Sequence, residues 1–502
     1  MAEILPHLLA FPPDKPIKTA KEYDDAITNF KQRLGKISHQ QWTATVDDAK
    51  QTTLLDLLDP SINTLPYLLC LVEQIKAAGK AKKKKEKALD HAVIFLTSFD
   101  PVQVRYLGQD WRNIFEWSCH ASHDLGVLQL QFLAAALLRL DPSAGTFTTN
   151  HLVFLQCCLN NGVPSQALPI LQKPIYAFPQ TNPKSVPTDL LCDDHDLSNG
   201  FITPKSGLSG RIHPETVLEY YLLGAHVHLG QRNYTRARLY LESVILYPSA
   251  SHTCSAFQVE AYKKFLLTGL LAVGRAWPQP RTVDQSVLKS IQALSKAYES
   301  LVDCFEKRNV LKFNAEADVN AKEWQNDGNF RLVMEVSNAL QRYRVIDLQK
   351  TYAALPISRV AAHLGFDQNF ASNFLTDIIH AGQLNASITS GSSAGDSVLR
   401  FNLKQSAATL PLSTSSQHGD EADLEAQNAR IEMLVTYIRD ADRRLQLTRE
   451  YSEYAKKAKK MGGLGSGSAE DIADQMDLTY DAPMSTPFGP LGEEDGDENL
   501  MD

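Results

Sequence analysis

The chain has 502 residues, is 43% hydrophobic and 22% charged, and carries a formal net charge of −8 with a pI of about 6.0. This is the composition of a protein with a sizeable core, long enough for roughly two to four domains or one long repeat array. The acidic balance weighs against a dedicated nucleic-acid binder, and no stretch approaches the roughly 18 continuous apolar residues of a membrane span.

The opening "MAEILPHLLAFPPDKP" puts Glu3 where a secretory leader carries positive charge, and prolines interrupt its apolar run. Residues 17–178 read as helical almost throughout. "TTLLDLLDPSINTLPYLLCLVEQIKAA" repeats apolar residues at three- and four-residue spacing and is split at Pro60. "QVRYLGQDWRNIFEWSCHA" and "LGVLQLQFLAAALLRL" continue the pattern. Asn150 is placed to cap "HLVFLQCCL", "NNG" ends that helix, and "SQALPILQ" starts the next. Short helices joined by short polar turns predict stacked antiparallel pairs. Residues 179–212 are rich in Pro, Ser, Gly and Asp and read as a long exposed loop or insertion.

Pro214 then suits the first turn of "ETVLEYYLLGAHVHLG", which Gly230 ends, and "NYTRARLYLESVILYP" is the return helix. Ala237, Leu241 and Val244 form the return helix's apolar stripe, and Pro248 stops it. The small-residue, aromatic and proline pattern is similar to a tetratricopeptide-type helix pair. Helical periodicity continues through "AFQVEAYKKFLLTGLLAVG" and "SVLKSIQALSKAYESLVDCFEK" to Leu355.

The period then changes. A short helix, Ser358–Leu364, ends at Gly365. The next helix puts Phe370, Phe374, Leu375, Ile378 and Ile379 on one face. "LNASIT" alternates, with Leu384, Ala386 and Ile388 on one side, and "SVLRFN" alternates again, with Leu399 and Phe401 paired. Helix, apolar entry, helix, helix, strand, loop, strand is the order of a winged helix. Residues 405–420 read as a polar linker. Residues 421–460 read as one long helix, with Leu424, Ile431, Ile438 and Leu445 spaced by seven and Leu434 and Ala441 between them. Such a stripe wants a helical partner. Residues 461–502 read as a disordered acidic tail.

A DNA-reading winged helix needs Lys or Arg on its second helix and wing, because phosphate contacts supply most of the affinity. Between Arg359 and Arg400 there is neither residue, while Asp377 and Asp396 stand on the surfaces in question. The fold is therefore expected to pack against protein, with no direct nucleic-acid contact and no membrane contact. His226 and His228 form an "HVH" pair, as in the metal site of the metalloproteases that cleave ubiquitin-like proteins. The positions that should hold serine and aspartate are Arg236 and Leu239, and helical spacing points the two histidines apart. "CDDH" at Cys192–His195 lacks a second ligand pair. No metal, cofactor or catalytic residue is expected. Lys82, Lys83, Lys84, Lys85 and Lys87 form the one concentrated basic run. It reads as a nuclear-import or anionic-contact candidate, set against the plainer reading of a solvated helix connection. The seven cysteines are odd in number and scattered, as reduced thiols of a cytoplasmic and nuclear protein would be.

A helical-repeat array running into a winged helix resembles the PCI-domain family, shared by the proteasome lid, the COP-9 signalosome and translation initiation factor three. The likeness is carried by "FLQCCLNNGVPSQALPIL", "NYTRARLYLESVILYPSASH", "EAYKKFLLTGLLAVG", "LSKAYESL", "LQKTYAALPISRVAAHLGF" and "HAGQLNASI", and is best toward the signalosome members. It is strong across 214–402 and loose before residue 85. With the resemblance, the fold is expected to be mainly α: a right-handed, tetratricopeptide-like helical-repeat solenoid ending in a winged-helix PCI domain, then a long C-terminal helix and a disordered tail. The 179–212 loop, the lysine run and the acidic tail depart from the family pattern, and nothing about them is carried over. Read along the chain, the divisions are N-terminal helical repeats over 1–178, a loop or insertion over 179–212 and the PCI domain's helical repeats over 213–344. The winged helix covers 345–404, a linker 405–420, a bundle helix 421–460 and the tail 461–502.

The resemblance further implies a non-catalytic scaffold whose partners are other signalosome PCI subunits and, through the complex, cullin-RING ligases. The complex removes the ubiquitin-like modifier NEDD8 with a metalloprotease held by another subunit. Leu384, Ile388, Leu399 and Phe401 would then pack the winged helix or meet its neighbours. Leu424, Ile431, Leu434, Ile438 and Leu445 would line a helix bundle. A proteasome-lid subunit is the nearest alternative, and a winged-helix nucleic-acid-binding regulator is an alternative of another class.

Overall fold

The described residues of the first part of the chain form helices that follow one another with little between them. The computed structural model describes residues 5–13, 19–43, 53–79, 81–180, 190–195, 197–248, 253–389, 397–402, 418–446, 448, 451, 453–454 and 456. The helices before the large loop are α1 (Leu5–Leu8), α2 (Ala20–Leu34), α3 (His39–Thr43), α4 (Thr64–Ala78), α5 (Lys82–Ser98), α6 (Pro101–Val104), α7 (Gly108–Leu125), α8 (Gln131–Leu140), α9 (Thr149–Asn160) and α10 (Leu168–Leu171). After it come α11 (Pro214–Gly230), α12 (Tyr234–Ile245), α13 (Ala256–Val273), α14 (Gln285–Leu294), α15 (Lys296–Glu306), α16 (Val310–Val319), α17 (Ala321–Asn326) and α18 (Phe330–Gln349). Each packs on near neighbours, α4 on α5, α5 on α7, α7 on α9, α9 on α11, α11 on α12 and α12 on α13, so one core runs from Leu8 to Leu340. That is the nearest-neighbour logic of a repeat array.

Local chemistry sets the helix boundaries. Ser255 and Gln258 form a capping box at the start of α13, Asn233 accepts the Arg236 N–H at α12, and Pro214 occupies the first turn of α11. Asn150 does not cap α9 as its sequence position predicts. Thr148 takes that place in a box with His151, and the Asn150 amide instead donates to the Leu208 carbonyl at 2.9 Å. In the α11–α12 pair Ala237, Leu241 and Val244 are buried, as the periodicity predicts. Gly224 is the small residue that lets Tyr240 close on α11: a Cβ there would lie 2.5 Å from the ring. The Tyr240 hydroxyl then donates to the Leu171 carbonyl at 2.6 Å and ties the pair to the preceding repeats.

Residues 190–212 correct the reading of an exposed loop. Among the described residues of this segment there is one short 3-10 turn, Ser198–Gly200, and no other helix or strand, yet Phe201, Ile202 and Leu208 are buried in the repeat core. Arg105 donates to the carbonyls of Leu191 (2.8 Å) and Asp193 (3.2 Å) and stacks on Phe201, its guanidinium carbon 3.9 Å from the ring centre. Gly108 leaves room for the strap, since a Cβ would sit 2.4 Å from the Ser206 carbonyl oxygen. Arg105, Gly108 and Asn150 lie far away in sequence, so composition alone shows the irregular backbone and not the burial.

The second core closes around β1 (Ala354–Pro356), α19 (Ile357–Leu364), α20 (Gln368–His380), β2 (Ala386–Thr389) and β3 (Val398–Phe401). The sheet is antiparallel in the order β1-β3-β2, with Leu355 opposite Leu399 and Ile388 opposite Leu399 on the other side. This is the winged-helix order read from the sequence. The last helix, α21 (His418–Gln446), spans the point where the chain divides into two compact units, after Tyr437. The loop between β2 and β3, most of the expected 405–420 linker and the expected tail over 461–502 lie outside the described residues.

Candidate interaction surfaces

The winged helix is built from its caps inward. Asp367 accepts the Asn369 N–H at 3.3 Å to start α20. Gly365, at φ 78°, makes the left-handed turn that ends α19. Arg344 of α18 donates to the carbonyls of His363 and Leu364 at that same helix end, so a nearby cation is committed to the fold. Of the four sheet candidates, Leu384, Leu399 and Phe401 are buried in the winged helix's own core and Ile388 is half-buried against it. The first three are internal packing residues and offer no surface to a neighbour. The sequence could not separate the two roles, because alternation marks a buried face without saying what buries it. On α20, Ala371, Leu375 and Ile378 turn inward, whereas Phe370 is exposed, contrary to the single apolar face expected. The outward side of α20 presents Asn369, Phe370, Asn373, Asp377 and His380, with no lysine or arginine.

On α21 the heptad stripe lies open. Leu424 is 59%, Ile431 57%, Ile438 51% and Leu445 53% exposed, with Leu434 exposed as well. A row of large aliphatic side chains this open along one helix is a surface that marks association. One residue breaks the pattern: Tyr437 is buried, its ring 4.8 Å from that of Tyr176. The sequence reading missed it because it falls outside the seven-residue register of the stripe. A lone aromatic beside an aliphatic stripe was the one available signal.

With both surfaces in place, the similarities to known proteins bear directly on what they are for. Residues 27–287, more than half of the chain, match the family described as "COP9 signalosome complex subunit 3, N-terminal helical repeats", and residues 317–393 match the PCI domain. The chain belongs to the COP9 signalosome subunit 3 family. Among its relatives, subunit 3 of Emericella nidulans is 28% identical over 440 residues, 84% of this chain and 88% of that protein. Subunit 3 of Neurospora crassa is 26% identical over 462 residues, 90% of each chain. Subunit 3 of Dictyostelium discoideum is 23% identical over 432 residues, 84% of this chain and 91% of that one. Most of the repeats fall under the first match and most of the winged helix under the second, and the PCI resemblance read from the sequence holds.

The remaining candidates in this subunit-3 family member are placed as follows. Lys82, Lys83, Lys84, Lys85 and Lys87 occupy the first turns of α5 and not the connection before it. Lys85 pairs with Asp124 at 2.9 Å, the other four are exposed, and Ala81 supplies no side-chain cap. Positive charge gathered at the positive end of a helix opposes the helix dipole. His228 is buried in α11 with its ring 5.2 Å from that of Tyr240, and burial pushes its pKa down to about 4. His226 points elsewhere, toward Glu260 at 3.4 Å. Among the described residues no three His, Cys, Asp or Glu side chains are grouped to hold a metal ion, and no helix is long and apolar enough to cross a membrane.

Proposed function

We propose that this chain is a non-catalytic scaffold subunit of a signalosome that removes NEDD8 from cullin-RING ubiquitin ligases, with the metalloprotease on another subunit. Its partners are other PCI-domain subunits, and cullin-RING ligases through the complex, in the cytoplasm and nucleus. Contacts run through the winged helix and through α21. The observation that carries the reading is the open stripe Leu424–Leu445 on a chain of the subunit-3 family. A helix that exposes four large aliphatic residues at seven-residue spacing gains by covering them with a second helix. The α20 surface, with Asp377 and no cation, supports protein and not DNA as the neighbour of the winged helix.

The test is reconstitution. The complex assembled with this chain cleaves NEDD8 from a cullin, the complex lacking it fails to assemble fully, and the isolated chain with added zinc has no activity. Metal-dependent deneddylation by the isolated chain overturns the scaffold reading.

A further inference from the structure

The strap over 190–212 brings one threonine hydroxyl to its outer side. Thr203, Pro204, Lys205 and Ser206 form a β-turn, closed by the Ser206 N–H donating to the Thr203 carbonyl at 3.1 Å. Proline stands at its second position, where the fixed φ suits such a turn. The Ser206 hydroxyl completes the turn. It donates to the Thr203 carbonyl at 2.8 Å and accepts from the N–H groups of Thr203 at 3.3 Å and Leu208 at 3.4 Å. The Thr203 hydroxyl takes part in none of these bonds. On either side Ile202 and Leu208 are buried, whereas Pro204 and Lys205 are exposed and Thr203 is half-exposed. The turn therefore stands out from the repeats and is held at both ends. The chain has one other threonine–proline pair, Thr486–Pro487, and no serine–proline pair.

What lies beneath the turn favours added negative charge. Its second half rests on the first turn of α7: a Cβ on Gly108 would lie 2.4 Å from the Ser206 carbonyl oxygen, and one on Gly207 would lie 2.8 Å from the Gln109 backbone nitrogen. Leu107, just before α7, supplies no side-chain cap, so the positive end of an 18-residue helix sits beside the turn. Arg112, one turn further along α7, reaches the strap at Gly210. Asp110 is the one acidic residue of that first turn, and Lys205 and Arg112 outnumber it. A hydroxyl followed by proline suits kinases whose pocket for the next residue offers no partner to a backbone N–H, because proline has none. We propose that Thr203 is a phosphorylation site for a proline-directed protein kinase, and that its phosphate clamps the strap onto the start of α7. The step breaks the bond from the γ-phosphorus of ATP to its bridging oxygen, which leaves on ADP. It forms the bond to Thr203 Oγ1, whose proton passes to the kinase's base. The product carries close to two negative charges and three acceptor oxygens, which order a segment beside a helix N-terminus.

The test treats the full chain with a proline-directed kinase and ATP and locates the phosphate by mass spectrometry. Phosphate on Thr203 is expected. Thr203→Val, which keeps the branched shape, removes it. Pro204→Ala, which keeps the hydroxyl, slows its arrival roughly tenfold or more. Hydrogen exchange is then compared between the phosphorylated and untreated chains. Exchange over residues 201–209 is expected to slow about two- to fivefold, with the rest of the repeats unchanged. No phosphate at Thr203, or phosphate on Thr486 alone, overturns the site, whether or not a synthetic peptide of residues 198–210 accepts one. Equal rates in Pro204→Ala and wild type overturn the assignment to a proline-directed kinase. Phosphate on Thr203 with unchanged or faster exchange overturns the clamp.

Discussion

Placing carboxylates on the α21 stripe separates a seam for a partner from a part of the chain's own core. Ile431 and Ile438 are 57% and 51% exposed in the chain alone, so Ile431→Asp with Ile438→Asp removes little buried surface there. Surface changes of this kind stay within about 0.5 kcal/mol each, and Asp and Ile differ little in helix propensity. In an assembled seam the outcome differs. About half of each side chain remains to be covered, worth roughly 1 kcal/mol per isoleucine at the usual value per buried area. Each aspartate must in addition be desolvated without a partner, at several kcal/mol apiece. A total above about 4 kcal/mol weakens association by roughly a thousandfold or more. Thermal melting of the isolated variant, followed by titration into a complex lacking this chain, measures both sides. A melting temperature within about 2 °C of wild type with lost assembly is expected. A large drop in melting temperature, or unchanged assembly, refutes the reasoning.

Leu399→Ala removes a fully buried side chain from the winged-helix core and is expected to cost about 2–5 kcal/mol, read as faster hydrogen exchange confined to residues 354–401. Gly108→Ala drives a methyl into the Ser206 carbonyl and Leu208, and is expected to release the strap so that trypsin cuts at Lys205 roughly tenfold faster than in wild type. His151 and His228 are both held by burial near a pKa of about 4, against 6.5 unperturbed. The unfolded chain therefore takes up protons first, and stability that is full above about 6.5 is lost as pH falls toward 4. His228→Phe is expected to flatten that slope by up to about 1.4 kcal/mol per pH unit, measured by urea unfolding across the window.

The parts legible in the sequence are those whose burial follows a period. Ala237, Leu241 and Val244 gave the α12 face, the change to alternation at Ala386 and Leu399 gave the strands, and the spacing Leu424–Ile431–Ile438–Leu445 gave a stripe that is open along its length. The strap over 190–212 has no period. Its burial depends on Arg105, Gly108 and Asn150, which reach it from the turn after α6, from α7 and from α9 and leave no mark in the segment itself. Tyr437 was hidden for a related reason, because the ring it packs on, that of Tyr176, lies far earlier in the chain. The division of Leu384, Leu399 and Phe401 from the surface needed the fold, since the same alternation serves a core and an interface alike.

The most direct test of the scaffold claim is mass spectrometry of what co-purifies with a tagged full-length chain from its own cells. The account predicts the other PCI-domain subunits of a signalosome together with its metalloprotease subunit, at near-equal amounts. Recovery of proteasome base subunits without a deneddylase would contradict it.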